Sequence, residues 1–287
     1  MCIHNPMKKL KVKDVMNKNP IVAEVPGNRE DVLRIFGKYE VSGVPVVKAG
    51  TKQFAGIVTR NDIFKYPEEN QLALIMNRNP VTISPEASLR KAAKIFYEKR
   101  IHGIPVVKGN KLVGVISPTD ILKVIAEKGK DVVENYLSPV FIPIYQDTPL
   151  PVVMKIFRLT HASALPVLDE EGNLAGIVAD GDLFTFSHLH ETVVKSDLGL
   201  GEDEDIWTWE GIRDVMRLYY ETSKIQLPPV PVKEVMVRDV ITTYVKAKIS
   251  DVAKKMLEND VDQLPVLDEN DDIIGMVYDV DLMKALL

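Results

Sequence analysis

The sequence predicts an α/β protein made of four copies of one small unit, each running strand, helix, strand, strand, helix. The copies are expected to pair into two pseudo-twofold modules, about 1–130 and 131–287, packed together as a disc. Three observations carry this expectation. A helix end leading into an apolar-Pro-apolar strand recurs as FGKYEVSGVPVV (36–47), FYEKRIHGIPVV (96–107), FRLTHASALPVL (157–168) and MLENDVDQLPVL (256–267). Each is followed by a glycine-led strand that ends near an aspartate: GIVTRND (56–62), GVISPTD (114–120), GIVADGD (176–182) and GMVYDVD (275–281). Spacing is about 60 residues, except that an extra segment of about 40 separates the third copy from the fourth. A fixed period of this length marks a repeat architecture. The boundaries read as 1–68, 69–130, 131–190 and 231–287 for the four repeats, with a helical insert or linker at 191–230.

The second copy shows each element in turn. NPVTI (79–83) is a short extended run. Leu89, Ala92, Ala93 and Phe96 then stand at i, i+3, i+4 and i+7, the apolar stripe of an amphipathic helix, with Ser88 ahead as an N-cap. IPVV (104–107) and LVGVI (112–116) are rich in β-branched residues around a turn at Gly109–Asn110, so they read as a hairpin. PTDILKVIAEKG returns to helical spacing and stops at Gly129, a helix-ending residue. One such unit buries little by itself, so adjacent copies are expected to pair through the apolar faces of their helices.

At 287 residues, 46% hydrophobic and 27% charged, the chain is long enough for about two domains with their own cores. Its net charge of −5 offers no generic attraction to nucleic acid or to an anionic membrane. The single cysteine, Cys2, excludes an intrachain disulfide framework and fits a reducing compartment. No apolar stretch is long enough to span a bilayer, and the start has no signal-peptide apolar region, so a cytoplasmic location is the expectation.

The recurring aspartate admits two roles. A hydroxyl residue followed three positions later by an acid, at a strand-to-helix junction, has the form of a capping box. Thr59 and Ser117 supply that hydroxyl, but Ala179 and Tyr278 take its place in the later copies, so capping alone does not account for the aspartate. The second role is a sugar clamp. An ionised carboxylate accepts two hydrogen bonds side by side, which matches the adjacent 2′- and 3′-hydroxyls of a nucleoside.

The unit resembles a CBS domain, and two tandem pairs resemble the regulatory gamma subunit of AMP-activated protein kinase and archaeal proteins built the same way. The similarity covers nearly the whole chain outside about 187–230. It implies that Asp62, Asp120, Asp182 and Asp281 are ribose ligands, with Thr59, Ser117 and Thr119 near ribose or phosphate. The base would lie in a slot formed by the first extended run and the loop before the Pro-containing strand. The matching residues are Val22, Val41 and Val44; Thr82, Ile101 and Ile104; Pro143, Ala162 and Leu165; and Thr242, Val261 and Leu264. Core packing is the other role open to each of them.

Phosphate needs cations or donors, and Arg60, Lys99, Arg100 and His102 are the candidates, with Ser42 standing in the first copy where His102 stands in the second. Asp180, Asp279 and Asp262 occupy the corresponding places in the later copies, where they would repel a phosphate. The N-terminal module is therefore expected to take AMP, ADP or ATP, and the C-terminal one to be empty, structural or suited to S-adenosylmethionine or methylthioadenosine. No cofactor beyond such a regulatory ligand is expected.

The insert places Ile212, Val215, Met216 and Tyr219 on a helical stripe behind Trp207 and Trp209. It reads as a cover for the second core, or as a docking surface for an unidentified protein partner. His188, His190 and Glu191 lack the spacing of a helical metal site. The glycines of GLG (199–201) lack a following phosphate-loop lysine. No nucleophile–base pair or catalytic signature emerges, so a binding protein rather than an enzyme is expected, with a ligand-free interaction scaffold as the other reading. Whether a regulated partner or a second copy in a homodimer binds is open.

Overall fold

Each repeat folds around a sheet of two or three short strands with an eleven-residue helix set against it. The computed structural model describes residues 10–39, 41, 43–59, 62–63, 66, 69–138, 141–160, 162, 164–179, 182–183 and 227–287. In repeat 1, β1 (Ala23–Val25) runs parallel to β2 (Gly43–Lys48), which pairs antiparallel with β3 (Phe54–Thr59). Repeat 2 has the hairpin of β4 (Ile104–Lys108) and β5 (Lys111–Ile116), with Ile83 bridged in parallel to Val106 where β1 would stand. Repeat 3 restores the three strands as β6 (Ile144–Tyr145), β7 (Ala164–Leu168) and β8 (Leu174–Ala179). Repeat 4 does the same with β9 (Thr243–Tyr244), β10 (Gln263–Leu267) and β11 (Ile273–Tyr278).

The helices Arg29–Tyr39, Leu89–Lys99, Leu150–Thr160 and Ile249–Asn259 use one pattern. Leu89, Ala92, Ala93 and Phe96 are fully buried, and so, to within 1%, are Ile249, Val252, Ala253 and Met256. The stripe expected from spacing is thus the face that packs. Ser88 caps its helix by accepting the Lys91 N–H at 3.3 Å.

Adjacent repeats are joined by an exchange of chain segments. The stretch opening repeat 1 lies on repeat 2: the Val12 N–H donates to the Ala87 carbonyl at 2.9 Å, and Asn17 exchanges both backbone bonds with Val115. The stretch opening repeat 2 lies on repeat 1 in the same way, with Leu72 bonded to Gly27 and Asn77 exchanging both bonds with Ile57. Repeat 4 returns the arrangement to repeat 3, with Val232 bonded to Thr148 and Val237 exchanging both bonds with Ile177. Val12, Leu72 and Val232 are fully buried, so each segment is anchored by an apolar plug and fastened by backbone hydrogen bonds.

This exchange explains the strand glycine of repeats 1, 2 and 3. A Cβ on Gly114 would stand 2.6 Å from the Asn17 carbonyl oxygen and 2.9 Å from the Met16 sulfur. Gly56 meets the Asn77 carbonyl and Gly176 the Met236 sulfur in the same manner. Only a residue without a side chain lets the partner's backbone pass there.

Two compact units emerge from the packing. One holds residues 1–136, 246–262 and 278–287; the other holds 137–245 and 263–277. In the first, the repeat 2 helices Leu89–Lys99 and Pro118–Lys128 pack on the repeat 4 helix Ile249–Asn259 and the C-terminal turns Asp279–Leu286. The expectation that helix faces would pair neighbouring copies is met differently. Strand edges and exchanged segments join neighbours, which leaves the repeat 2 helices to bury their remaining apolar surface on repeat 4. Ile121, Leu122, Val124, Ile125 and Ala126 are all buried, more than one face of a helix holds. Gly129 serves this contact. Its φ is −68°, not left-handed, and a Cβ would fall 2.9 Å from Ile249 Cγ1. In the second unit, Leu150, Val153, Phe157, Leu165, Val167 and Val178 form the core with Val232 and Met236.

Candidate functional site

All four aspartates sit three or four residues beyond the end of a strand, at the first helical turn, and all four carboxylates are held alike. The backbone N–H three residues earlier donates to Oδ2: Thr59 to Asp62 at 2.9 Å, Ser117 to Asp120 at 2.9 Å, Ala179 to Asp182 at 2.7 Å and Tyr278 to Asp281 at 3.2 Å. Capping is therefore common to every copy. The loss of the hydroxyl at Ala179 and Tyr278 does not abolish it, because one donor is the main chain, which any residue but proline supplies. Where a hydroxyl exists it reinforces the same oxygen: Thr59 Oγ1 donates to Asp62 Oδ2 at 2.6 Å, and Ser117 Oγ to Asp120 Oδ2 at 3.1 Å.

The second carboxylate oxygen distinguishes the copies. Among the described residues, Oδ1 of Asp62 and Oδ1 of Asp182 accept no hydrogen bond. Asp120 Oδ1 stands 3.6 Å from Lys123 Nζ, whose side chain is well exposed. Asp281 Oδ1 accepts a hydrogen bond from Arg100 Nη1 at 2.7 Å.

The sheet registers bring the other expected residues to the same end. Gly43 pairs with Thr59 and Val44 with Val58, which sets the 41–44 loop beside the Asp62 turn. Ala23 pairs with Val46, so Val22 lies at that end too. Ile104 opposite Ile116 and the Ile83–Val106 bridge repeat this for Thr82, Ile101 and Ser117. Ala164 opposite Ala179, with Ile144 beside Val167, repeats it for Pro143 and Ala162. Val44, Ile104, Leu165 and Leu264 lie within strands and are buried. Val22, Val41, Ile101, Ala162, Thr242 and Val261 are half-buried, and Thr82, Thr119 and His102 are exposed. Ser42 and Arg60 lie outside the described residues, as do Cys2, Asp180, His188, His190, Glu191, the GLG turn and the helical stripe of the insert. Among the described residues no cluster of His, Cys, Asp and Glu could hold a metal, and no helix is long and apolar enough to cross a membrane.

Arg100, an expected phosphate ligand of repeat 2, has a partner in repeat 4. It ends the Leu89–Lys99 helix in the left-handed conformation, φ 49°, which sends the chain abruptly out of the helix. Its guanidinium reaches Asp281 and stands 5.5 Å from the centre of the Tyr278 ring, within cation–π range. Asp281 is 3% exposed and Asp279, two residues earlier, 2%. The Asp279 N–H donates to the Asp262 carbonyl at 2.8 Å, and Asp279 Oδ1 accepts the Val280 N–H at 2.6 Å. Burial, with the Asp262 charge adding to it, pushes the Asp279 carboxyl up to about 7. Asp279 and Asp262 stand where the sequence reading has them repel a phosphate; the burial of Asp279 and the link from Arg100 have no local sequence signal, since 181 residues separate Arg100 from Asp281.

The CBS domain family matches residues 12–69, 72–127, 133–188 and 232–287, and the chain is a CBS-domain protein with four such domains. The Methanocaldococcus jannaschii protein MJ1225 is 26% identical over 95% of this chain and 97% of its own length. Protein MJ1426 of the same organism is 32% identical over 51% of this chain and 86% of its own length. The crystal structure of a conserved protein from Pyrococcus horikoshii, 28% identical, covers 97% of this chain and 100% of its own with a TM-score of 0.68.

Proposed function

We propose that this chain is a regulatory protein that binds adenosyl ligands through the aspartates of its CBS domains. The observation that supports this most is the division of labour within each carboxylate. Oδ2 is fixed by the helix it caps, so the group is oriented before any ligand arrives, and in Asp62 and Asp182 Oδ1 takes no bond from a described residue. A preoriented carboxylate loses little freedom on binding a sugar diol. Three segments converge beside it, which suits a flat base next to the sugar.

Repeats 1 and 2 suit AMP, ADP or ATP. Lys123 beside Asp120 and the exposed His102 leave the second repeat open to a phosphate-bearing ligand. Repeat 4 suits an adenosyl compound without phosphate, such as methylthioadenosine or S-adenosylmethionine, because Asp262 and Asp279 flank Asp281. Regulation would follow if a ligand favours one arrangement of the repeats or of a bound partner.

Thermal unfolding with AMP, ATP, adenosine and S-adenosylmethionine tests the proposal. A ligand at 100 times its Kd is expected to add about 2.7 kcal/mol of stability. No shift with any of the four would favour a ligand-free interaction scaffold.

A further inference from the structure

The fourth aspartate is already engaged. Asp281 Oδ1, the oxygen not used in the cap, accepts the Arg100 Nη1–H at 2.7 Å, and the carboxylate side chain is 4% exposed. A guanidinium offers N–H donors from one plane, as a sugar diol offers two O–H donors side by side. Arg100 therefore stands chemically where a ribose would stand. Resting on the reading of these aspartates as sugar ligands, we propose that Arg100 is an internal occupant of the repeat 4 site, closing Asp281 to adenosyl ligands until the side chain is displaced.

Several features hold Arg100 in that position. The left-handed turn at residue 100 directs the chain out of the helix end, and the packing of Leu89–Lys99 on the C-terminal turns brings that end to repeat 4. The Tyr278 ring supports the guanidinium, 5.5 Å from its centre. The corresponding helix end in repeat 4 is Asp260, also left-handed at φ 52°, and it carries the opposite charge. Between these two repeats the device thus runs in one direction, from repeat 2 to repeat 4. It also couples the two: a ligand that takes Arg100 for its phosphate would free Asp281, and a ligand on Asp281 would free Arg100.

The test is isothermal titration of the full chain with adenosine, which has the diol but no phosphate. Arg100→Gly suits the left-handed backbone and removes the guanidinium; Arg100→Asn is a second variant that tolerates the same conformation. Both are checked for folding by thermal unfolding. Each is expected to bind one more equivalent of adenosine than the wild type, or to bind at that site roughly 10- to 100-fold more tightly, the worth of one charge-assisted hydrogen bond. Adding Asp281→Ala should abolish the gain. Unchanged or reduced binding in both folded variants would overturn the internal-occupant proposal while leaving the sugar reading intact if the wild type still binds. Adenosine binding by neither the wild type nor any variant would overturn the sugar reading and this proposal together.

Discussion

Asp120 and Asp281 occupy the same place in the second and fourth repeats, are buried to a similar degree and cap their helices through the same oxygen. Their other oxygens face different company. Asp120 has an exposed lysine at 3.6 Å; Asp281 has an arginine at 2.7 Å, an aromatic ring behind that arginine and a second buried acid two residues away. The backbone of the repeat thus fixes where the carboxylate points, and residues outside the motif decide what it is free to hold. A motif repeated four times need not be four equivalent sites.

The largest expected contrast is in ligand binding. Asp120→Ala should weaken adenine-nucleotide binding at its site by roughly 10² to 10⁴-fold, the loss of two hydrogen bonds to a charged group. Asp281→Ala in the otherwise unchanged chain should cause no loss of nucleotide affinity, because Arg100 already holds that carboxylate, and by releasing Arg100 for a phosphate it should if anything strengthen binding. Calorimetric titration with AMP separates the two. Equal losses would erase the distinction.

Next in size is the pH response of the repeat 4 acid pair. Asp279 holds its proton more tightly folded than unfolded, its carboxyl rising from 3.8 to about 7. Between those values the native state binds more protons, so stability should fall as pH rises through that window and level off above about 7. Asp279→Asn keeps an oxygen for the Val280 N–H and removes the charge. It should flatten the dependence and raise stability at pH 8 by on the order of a few kcal/mol, measured by urea unfolding across pH. A variant as pH-dependent as the wild type would show that another group is responsible.

The exchanged segments give a smaller contrast. Gly114→Ala drives a Cβ to 2.6 Å from the Asn17 carbonyl and should cost about 1–3 kcal/mol. Gly275→Ala meets only Leu137 Cδ2 at 3.5 Å and should be close to neutral. Similar midpoints in urea for both variants would refute the close-approach explanation of the strand glycine. Smallest of all is Ser117→Ala, expected to lower stability by under about 1 kcal/mol, since the main-chain half of the cap persists as it does at Ala179.

What the sequence made legible was whatever rests on local pattern. The stripe Leu89, Ala92, Ala93, Phe96, the Ser88 cap and the hairpin turning at Gly109 all follow from spacing and turn chemistry, and all are present. The capping role of the aspartate cannot be judged from the side chains at residues 59, 117, 179 and 278, because the donor common to all four copies is their main chain. The segment exchange had a signal, the likeness of VKDVMNKNP (12–20), LALIMNRNP (72–80) and VKEVMVRDV (232–240), each opening with a buried plug. The helix does stop at Gly129, as its residue type indicates, but the glycine is not left-handed there, and its close approach to Ile249 is something only tertiary structure can reveal. Arg100 is the extreme case: its partner lies 181 residues away in another repeat, and its sign alone pointed to a phosphate.

One titration addresses the sugar clamp directly. The full chain is titrated with AMP and with 2′,3′-dideoxy-AMP, which differ only in the diol that Asp62 and Asp120 are held to receive. Dideoxy-AMP should bind at least roughly 10²-fold more weakly. Equal affinity for the two nucleotides would mean that these carboxylates cap their helices and do nothing more.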